Sequence, residues 1–395
     1  MDILQETYSD VGELRRQVTL GRRREIPYSI RKWSWMMAKK VLGIDIGHDQ
    51  LKLALVRKNH VLKTASAPMP EHLLREGRVT SPETMGELIR TVMKESGLHA
   101  NHAALILPNE TVYVKNVHMP LMTVDQLEYN LPFEFNDYIT GELKDYIFDY
   151  AVLSNPAAGI MPEKTERPMQ GTMNAMDDNS ASDEEAEEEM ELMAVGALRS
   201  VLEDAKDILR KAGLRLTMAA PALCAYISLI RAQKEFLQQQ AEEYGILDLG
   251  FGAVRMYMFR GERHVATRVL EIGLSGLDNA VADAFSVDVH LAHTYLMTNF
   301  EGCQQREECY TAYNNIAVEL MRALNFYRFS NPDSALSDIW LCGGGAVIDP
   351  LVETIGEMLN ITLHSADELV PGGDQIADCN NFVQAIGIAM NLNRQ

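Results

Sequence analysis

A strand–turn–strand unit that occurs twice constrains the fold of this chain more than any other feature. In each copy an apolar run ends in an aspartate followed two residues later by a glycine, Asp45 with Gly47 and Asp248 with Gly250, and a second apolar run follows. The glycine lets main-chain N–H groups approach a phosphate closely, and the aspartate can hold Mg²⁺ through the water molecules around that ion. A single copy is typical of an ordinary turn, but two copies facing one cleft would bind a polyphosphate from both sides.

A glycine run near the end of the chain adds a third element. The apolar stretch at residues 338–342 leads into Gly343, Gly344 and Gly345, and a helical pattern begins near Asp349. Backbone without side chains at the end of a strand offers a flat surface on which an adenosine could lie. The three elements together indicate a nucleotide-binding cleft.

Between these elements the sequence alternates between strand and helix patterns. Residues 41–46 and 51–57 are predicted to form a pair of strands. One helix is predicted to begin at Ser81 and end at Gly97, and another to end at Gly213. With 395 residues and 47% hydrophobic content, the chain is long enough for two or three domains. This alternation predicts an α/β fold.

Nearly half of the formal net charge of −20 lies in one segment. Residues 154–191 contain eleven acidic residues against two basic ones, and they include few of the β-branched and aromatic residues that form a core. We expect a disordered acidic insertion there, either a solvated loop or an interaction segment. Residues 1–36 are rich in arginine and are predicted to be a disordered basic extension, with Met36 or Met37 as alternative start sites.

Several classes of function are disfavoured by composition. The five cysteines are scattered without a C-x-x-C pair, which argues against a disulfide framework and a zinc knuckle. The pairs His290/His293 and His99/His102 lack a third metal ligand at suitable spacing. After residue 40 no basic patch alternates with aromatic residues, so we expect no nucleic-acid binding. No apolar run approaches the roughly 20 residues that span a bilayer, and we expect a cytoplasmic protein.

The three motifs resemble, in their order and spacing, those of the superfamily of actin, the sugar kinases and Hsp70. Residues 112–139, with later segments at 273–293 and 319–346, are similar to the type IV pilus assembly protein PilM family. The resemblance implies a two-lobed ribonuclease-H-like α/β fold with a small α+β subdomain inserted in the first lobe. It also implies a cytoplasmic scaffold that binds ATP and Mg²⁺ and holds the N-terminal tail of an inner-membrane PilN-like protein.

That resemblance assigns domains and roles along the chain. It places the first lobe at residues 37–225 with the subdomain at 101–150, the second lobe at 226–380, and a C-terminal helix returning to the first lobe at 381–395. It implies that Asp45 and Asp248 hold the metal through water and that backbone near Gly47 and Gly250 contacts phosphates. The remaining nucleotide contacts are assigned to Lys52, Gly343, Gly344 and Gly345.

Some positions depart from the pattern of the superfamily. His48 and Asp49 stand where hydroxyl residues usually follow the first Asp-x-Gly. His293 and Leu296 stand where relatives carry a glutamate and a lysine around the adenine and ribose, and Ala220 stands where a polar residue often positions the attacking water. Without a group that orients or deprotonates water, phosphoryl transfer loses a factor of about 10²–10⁴. We therefore expect at most a slow ATPase. The alternatives are a catalytic ATPase or small-molecule kinase of the same superfamily, or a cell-division protein similar to FtsA.

The subdomain is the expected site of partner binding. A helix is predicted near Thr123, and the aromatic residues Phe133, Phe135 and Tyr138 follow as apolar contacts for an extended peptide, unless they only pack the subdomain. The expected location is the inner face of the cell membrane, reached through the partner and not through a membrane span. Self-association is a further expectation.

Overall fold

The computed structural model describes residues 39–75, 77–154, 189–237 and 241–392. The predictions for residues 1–36 and 155–188 lie outside the described residues. The chain divides into two compact units: the first unit combines the part up to Pro108 with the part from Asp204 onward, and the second unit is Asn109–Glu203. No helix within the described ranges is long and apolar enough to cross a bilayer.

The described part of the first unit contains two five-stranded sheets and a two-stranded ribbon. The strands of the first sheet are β1 (Lys40–Ile46), β2 (Gln50–Arg57), β3 (His60–Pro68), β6 (His102–Ile106) and β10 (Arg215–Ala220). The ribbon pairs β4 (Leu74–Arg75) with β5 (Arg78–Val79). The strands of the second sheet are β11 (Glu243–Leu249), β12 (Val254–Arg260), β13 (Arg263–Leu270), β14 (Asp338–Cys342) and β15 (Thr362–Ser365).

The two sheets of the first unit share one topology. Their strand orders are β3-β2-β1-β6-β10 and β13-β12-β11-β14-β15. In each sheet, the three strands that come first in sequence form an antiparallel meander. The fourth strand pairs in parallel with the other edge of the first strand, and the fifth pairs in parallel with the fourth. The repeated strand–turn–strand unit of the sequence is therefore the start of a repeated sheet, and the predicted pairing of residues 41–46 with 51–57 is confirmed.

Helices connect these strands. Their bounds are α1 (Pro82–Glu95), α2 (Val124–Asn130), α3 (Arg199–Ala212), α4 (Ala222–Ala232), α5 (Leu274–Phe285), α6 (Val289–Thr298), α7 (Glu307–Ser330), α8 (Asp349–Leu359) and α9 (Cys379–Leu392). The predicted start of α1 is confirmed, because the Ser81 side chain accepts a hydrogen bond from the backbone N–H of Thr84 and Pro82 is in the first turn. The helix predicted to end at Gly213 is also confirmed, since α3 ends at Ala212.

Both faces of the first sheet are covered. On one face, Ile89 of α1 and Leu209 of α3 pack with strand residues such as Leu42 in a buried apolar cluster. On the other face lies α9, and the backbone of Ala385 approaches Gly43 so closely that a Cβ at residue 43 would overlap its carbonyl group. Strands covered on both faces read as continuous apolar runs, which explains the sequence of β1.

The second unit contains a three-stranded antiparallel sheet. Its strands are β7 (Val112–Pro120), β8 (Tyr146–Ser154) and β9 (Glu189–Leu198), in the order β7-β9-β8. The sequence placed residues up to 191 in a disordered insertion, and that boundary is wrong, because the central strand begins at Glu189. Met190 and Leu192 contribute to the core of the unit, so the strand is held by buried apolar surface despite its acidic neighbours.

Two further expectations for the second unit need correction. Residues 102–106 were assigned to the subdomain, but they form β6 and pair with β1 in the first sheet. Phe135 was an expected partner contact, but its side chain is fully buried beside Phe148, with the ring centroids 5.1 Å apart. It is a core residue of this unit.

The predicted helix near Thr123 is confirmed, with a capping box between Thr123 and Gln126.

Candidate functional site

The first Asp-x-Gly turn joins β1 to β2. Asp45 pairs directly with Lys52 across the two strands, and Nζ of Lys52 lies 3.8 Å from Oδ2 of Asp45. The backbone N–H of Gly47 donates a hydrogen bond to the carbonyl oxygen of Gln50 at 3.0 Å, which closes the turn. A Cβ on Gly47 would lie 2.9 Å from that oxygen, so this turn requires a residue without a side chain.

The second turn joins β11 to β12 in the same way. Asp248 pairs directly with Arg255, and a Cβ on Gly250 would lie 2.7 Å from the carbonyl oxygen of Ala253. In both copies a basic residue follows the aspartate by seven positions. The sequence analysis named Lys52 and missed Arg255, although this equal spacing could have identified it.

The two turns face each other within the first unit. A Cβ on Gly252 of the second turn would lie 3.9 Å from the imidazole ring of His48 in the first turn. Burial raises the pKa of Asp45, and the nearby charge of Asp248 raises this pKa further. The structure therefore brings the two predicted turns to one place.

Burial also dominates the electrostatics of the second turn. It raises the pKa of Asp248, whereas the charges of Arg255 and Lys52 and a hydrogen bond from Gln384 act to lower this pKa. Both aspartates are nearly inaccessible to solvent. Each carboxylate is thus buried but compensated by a basic residue of its own hairpin.

Lys52 is the buried cation of this cluster. Burial disfavours its charged form, but Asp45, Asp49 and Asp248 together outweigh that effect and raise the pKa of Lys52 above its ordinary value. Asp49 contributes negative charge, as expected from its position where relatives carry a hydroxyl residue. The ammonium group of Lys52 therefore stays charged over the ordinary pH range.

The glycine turn after β14 lies against the second Asp-x-Gly turn. Gly343 has a left-handed backbone with φ of 85°, and a Cβ there would lie 2.6 Å from Oδ1 of Asp248. A Cβ on Gly345 would lie 2.8 Å from Cβ of Leu249. Gly343 and Gly345 are buried, and Gly344 is partly exposed. Two of the three predicted adenosine-contacting glycines therefore have a packing role that explains them without a ligand.

Helix α9 supplies polar contacts that the sequence analysis missed. The side-chain amide of Gln384 donates to Oδ2 of Asp248 and to the hydroxyl of Tyr226, both at 2.9 Å. The amide of Asn381 donates to Oε1 of Gln50 at 3.0 Å, beside the first turn. The helix is otherwise largely buried and apolar, so isolated amides on it were the available signal. Through these contacts α9 touches both turns.

His293 and Leu296, which stand where relatives contact the adenine and ribose, differ in their burial. Leu296 is fully buried in the core of the second sheet. His293 is partly exposed, and its Nδ1 lies 2.9 Å from Oδ2 of the buried Asp278. That hydrogen bond raises the pKa of His293. His293 also packs edge-on against Phe251 of the second turn, with ring centroids 5.9 Å apart.

Neither histidine pair belongs to a group of three possible metal ligands among the residues that the structure describes. His290 pairs with Glu71 at 2.9 Å, and His102 lies 3.2 Å from the hydroxyl of Thr217. Within the described ranges no group of three or more histidine, cysteine, aspartate or glutamate side chains is arranged to hold a metal ion. All five cysteines are free thiols.

Mg²⁺ would fit this site only as a hydrated ion whose water ligands bind to the carboxylates. Oδ2 of Asp45 faces Lys52, and Oδ2 of Asp248 accepts from Gln384, so each carboxylate has one oxygen already engaged. The second oxygens could accept hydrogen bonds from water molecules bound to the metal. A nucleotide would meet glycine backbone at both turns, which suits phosphate oxygens. Ala220 ends β10 with a methyl side chain and cannot orient water.

Residues 43–167 and 178–390 match the family described as type IV pilus assembly protein PilM. The chain belongs to the PilM family. The match includes both Asp-x-Gly turns, the glycine turn and nearly all of α9. No curated protein sequence matches the chain.

Solved structures agree with the PilM assignment at the level of the fold. A PilM–PilN type IV pilus biogenesis complex contains a chain with 21% identity and a TM-score of 0.71, over 89% of this chain and 97% of that one. The ethanolamine utilization protein EutJ from Carboxydothermus hydrogenoformans has 12% identity and a TM-score of 0.53, over 88% of both chains. The predicted two-lobed, actin-like α/β fold with a small inserted α+β subdomain is confirmed.

Proposed function

We propose that this PilM-family protein is a cytoplasmic, actin-like scaffold of type IV pilus assembly or a related secretion system. It binds ATP with Mg²⁺ and recruits the cytoplasmic tail of an inner-membrane PilN-like protein, which holds it at the membrane. The family match over both Asp-x-Gly turns and the inserted unit is the observation that carries this proposal. The solved PilM–PilN complex supports the choice of partner, since it pairs a protein of this fold with PilN.

The nucleotide part of the proposal rests on the facing turns. Backbone at Gly47 and Gly250 would contact phosphates, Lys52 would add positive charge, and Asp45 and Asp248 would hold Mg²⁺ through water. Gly344 is the member of the glycine turn whose backbone is accessible enough to lie beside an adenosine, with Gly343 and Gly345 shaping the turn behind it.

Turnover is proposed to be slow. Ala220 offers no side-chain group that could orient or deprotonate water, and Leu296 is buried in the core. A general base contributes about 10²–10⁴ to a rate, so its absence favours nucleotide as a structural ligand over nucleotide as a substrate.

The second unit is proposed to hold the partner. β7 and β8 each pair with β9 on one side, so among the described strands of this unit both are edge strands that could accept an extended peptide. Phe133 and Tyr138 are 51% and 53% exposed, and the ring of Tyr129 lies 5.7 Å from that of Phe133. Main-chain hydrogen bonds to a strand edge would supply affinity, and these rings would supply apolar contacts.

A binding titration tests the partner proposal. The probe is the synthetic N-terminal tail of the PilN-like protein from the same organism, added to the full chain and followed by calorimetry. Phe133→Ala with Tyr138→Ala should weaken binding at least about tenfold, since truncating even one hot-spot residue of an interface costs about 2 kcal/mol or more. The matched control is Phe329→Ala, an exposed phenylalanine of α7 in the first unit. Equal affinities for all three proteins would place the contact elsewhere.

A further inference from the structure

We propose that Lys52 is the resident counterion of the buried carboxylates, so that the cleft without nucleotide does not bind a divalent metal ion of its own. Any Mg²⁺ then enters only together with the phosphates of a nucleotide. This inference deepens the proposed nucleotide site and rests on it.

The position of the ammonium group is the first observation. Nζ of Lys52 lies 3.8 Å from Oδ2 of Asp45, and both side chains are close to nine-tenths buried. The same Nζ would lie 3.9 Å from a Cβ on Gly47. Lysine has a long flexible stem that normally carries its charge into solvent. Here the charge instead lies inward over the first turn, where a cation beside Asp45 would be found.

The charges around the cluster are the second observation. Three aspartates, Asp45, Asp49 and Asp248, act on Lys52, and both Lys52 and Arg255 act on Asp45 and Asp248. Two basic side chains therefore compensate three acidic ones, which leaves one formal negative charge. A divalent ion arriving alone would meet two cations already in place.

The cost of breaking a buried pair makes the proposal testable. Removing one partner of a buried ion pair leaves the other charge uncompensated, which is strongly destabilising. Without the ammonium group of Lys52, the three aspartates would face Arg255 alone, and a hydrated Mg²⁺ could replace the missing charge. Loss of Lys52 should therefore create a metal dependence that the natural protein lacks.

The experiment measures thermal unfolding of the full chain without nucleotide. Each protein is heated in MgCl₂ and in NaCl of equal ionic strength. The wild-type protein should unfold at the same temperature in both salts. Lys52→Met should unfold at a lower temperature in NaCl and show a saturable rise of about 3 °C or more in MgCl₂, as mass action predicts for a ligand bound only by the folded state.

Two variants separate charge from shape. Lys52→Arg keeps the positive charge, so its unfolding temperature should not differ between MgCl₂ and NaCl. Lys206→Met removes an exposed lysine of α3 and should also show no magnesium effect. If Lys52→Met does not fold, the double variant Lys52→Met with Asp45→Asn, which removes one charge of each sign, should fold without metal.

The outcomes distinguish this inference from the proposed nucleotide function. Saturable stabilisation of the wild-type protein by Mg²⁺ alone would overturn the inference, and so would a folded Lys52→Met protein that does not respond to Mg²⁺. If no Lys52 variant folds, the wild-type titration decides the question. Nucleotide binding is measured separately by calorimetry with ATP and Mg²⁺, and its absence would refute the nucleotide function without changing the metal result.

Discussion

The side-chain amide of Gln384 donates a hydrogen bond to Oδ2 of Asp248 at 2.9 Å and joins helix α9 to the second Asp-x-Gly turn. The same amide donates to the hydroxyl of the fully buried Tyr226 on α4. One residue near the end of the chain therefore satisfies two polar groups in the interior of the first unit. Its partners lie more than 130 positions earlier in the sequence.

Replacing Gln384 should destabilise the first unit. Gln384→Ala leaves the Asp248 carboxylate and the Tyr226 hydroxyl without this donor, and a buried group that loses its partner costs about 1–3 kcal/mol. Urea unfolding followed by circular dichroism measures the change. The control is Asn314→Ala on the exposed side of α7, which should change the free energy of unfolding by less than about 0.5 kcal/mol. Equal stabilities of the two variants would contradict the assigned role.

Gly343 should tolerate no side chain. Gly343→Ala would place a Cβ 2.6 Å from Oδ1 of Asp248 in a left-handed backbone conformation, so we expect a loss of more than about 1 kcal/mol. The matched control is Gly276→Ala in α5, where a Cβ meets nothing within 4 Å. Alanine there should stabilise the helix by about 0.5–1 kcal/mol. Chemical denaturation compares both variants with the wild-type protein, and effects of the same sign would count against this account.

Acid should destabilise the protein through His264. Burial lowers the pKa of His264 to about 4, whereas the unfolded chain should have the ordinary value near 6.5. Between these values the unfolded state binds more protons, so stability is lost as the pH falls from 6.5 to 4. The contribution is about 3 kcal/mol, since each unit of pKa corresponds to about 1.4 kcal/mol.

Urea unfolding between pH 7 and pH 4 measures this contribution in the wild-type protein and in two variants. His264→Gln should flatten the pH dependence, whereas His118→Gln, at an exposed position of β7, should leave it unchanged. A pH profile that stays the same after loss of His264 would show that other groups govern acid sensitivity.

The two neighbouring phenylalanines of the second unit should differ in their effects. Phe135→Ala removes a fully buried ring and should destabilise this unit by about 3–5 kcal/mol. Phe133→Ala removes a ring that is 51% exposed and should change stability by less than about 1 kcal/mol. Hydrogen exchange of the β7-β9-β8 sheet reports stability in this unit alone. Comparable losses of protection in the two variants would argue against the different burial of these side chains.

Hydrolysis of ATP should be slow. Because Ala220 cannot orient or deprotonate water, the purified protein should turn over far more slowly than the ~1–100 s⁻¹ typical of kinases. Release of phosphate measured with and without Mg²⁺ provides the rate. Brisk, magnesium-dependent release that Asp45→Ala abolishes would show that the cleft is catalytic.

The hairpin turns and the helix starts could be predicted from the sequence, because interactions between residues only a few positions apart determine them. Apolar runs before and after each Asp-x-Gly predicted two strands joined by a turn, and glycine was needed at each turn for steric reasons that act within three residues. Ser81 and Thr123 marked helix starts because a capping side chain bonds to backbone three positions later. The motifs also identified the PilM family.

Long-range contacts were decided only by the tertiary structure. β9 lies between β7 and β8 although the acidic segment precedes it, and local composition therefore misplaced its start. Phe133 and Phe135 look equivalent in sequence, but only Phe135 faces the core. Gln384 is one of several amides on a largely apolar helix, and only folding brings Asp248 beside it. Pairing of distant residues depends on which surfaces are buried together, and periodicity within a short window carries no information about that partner.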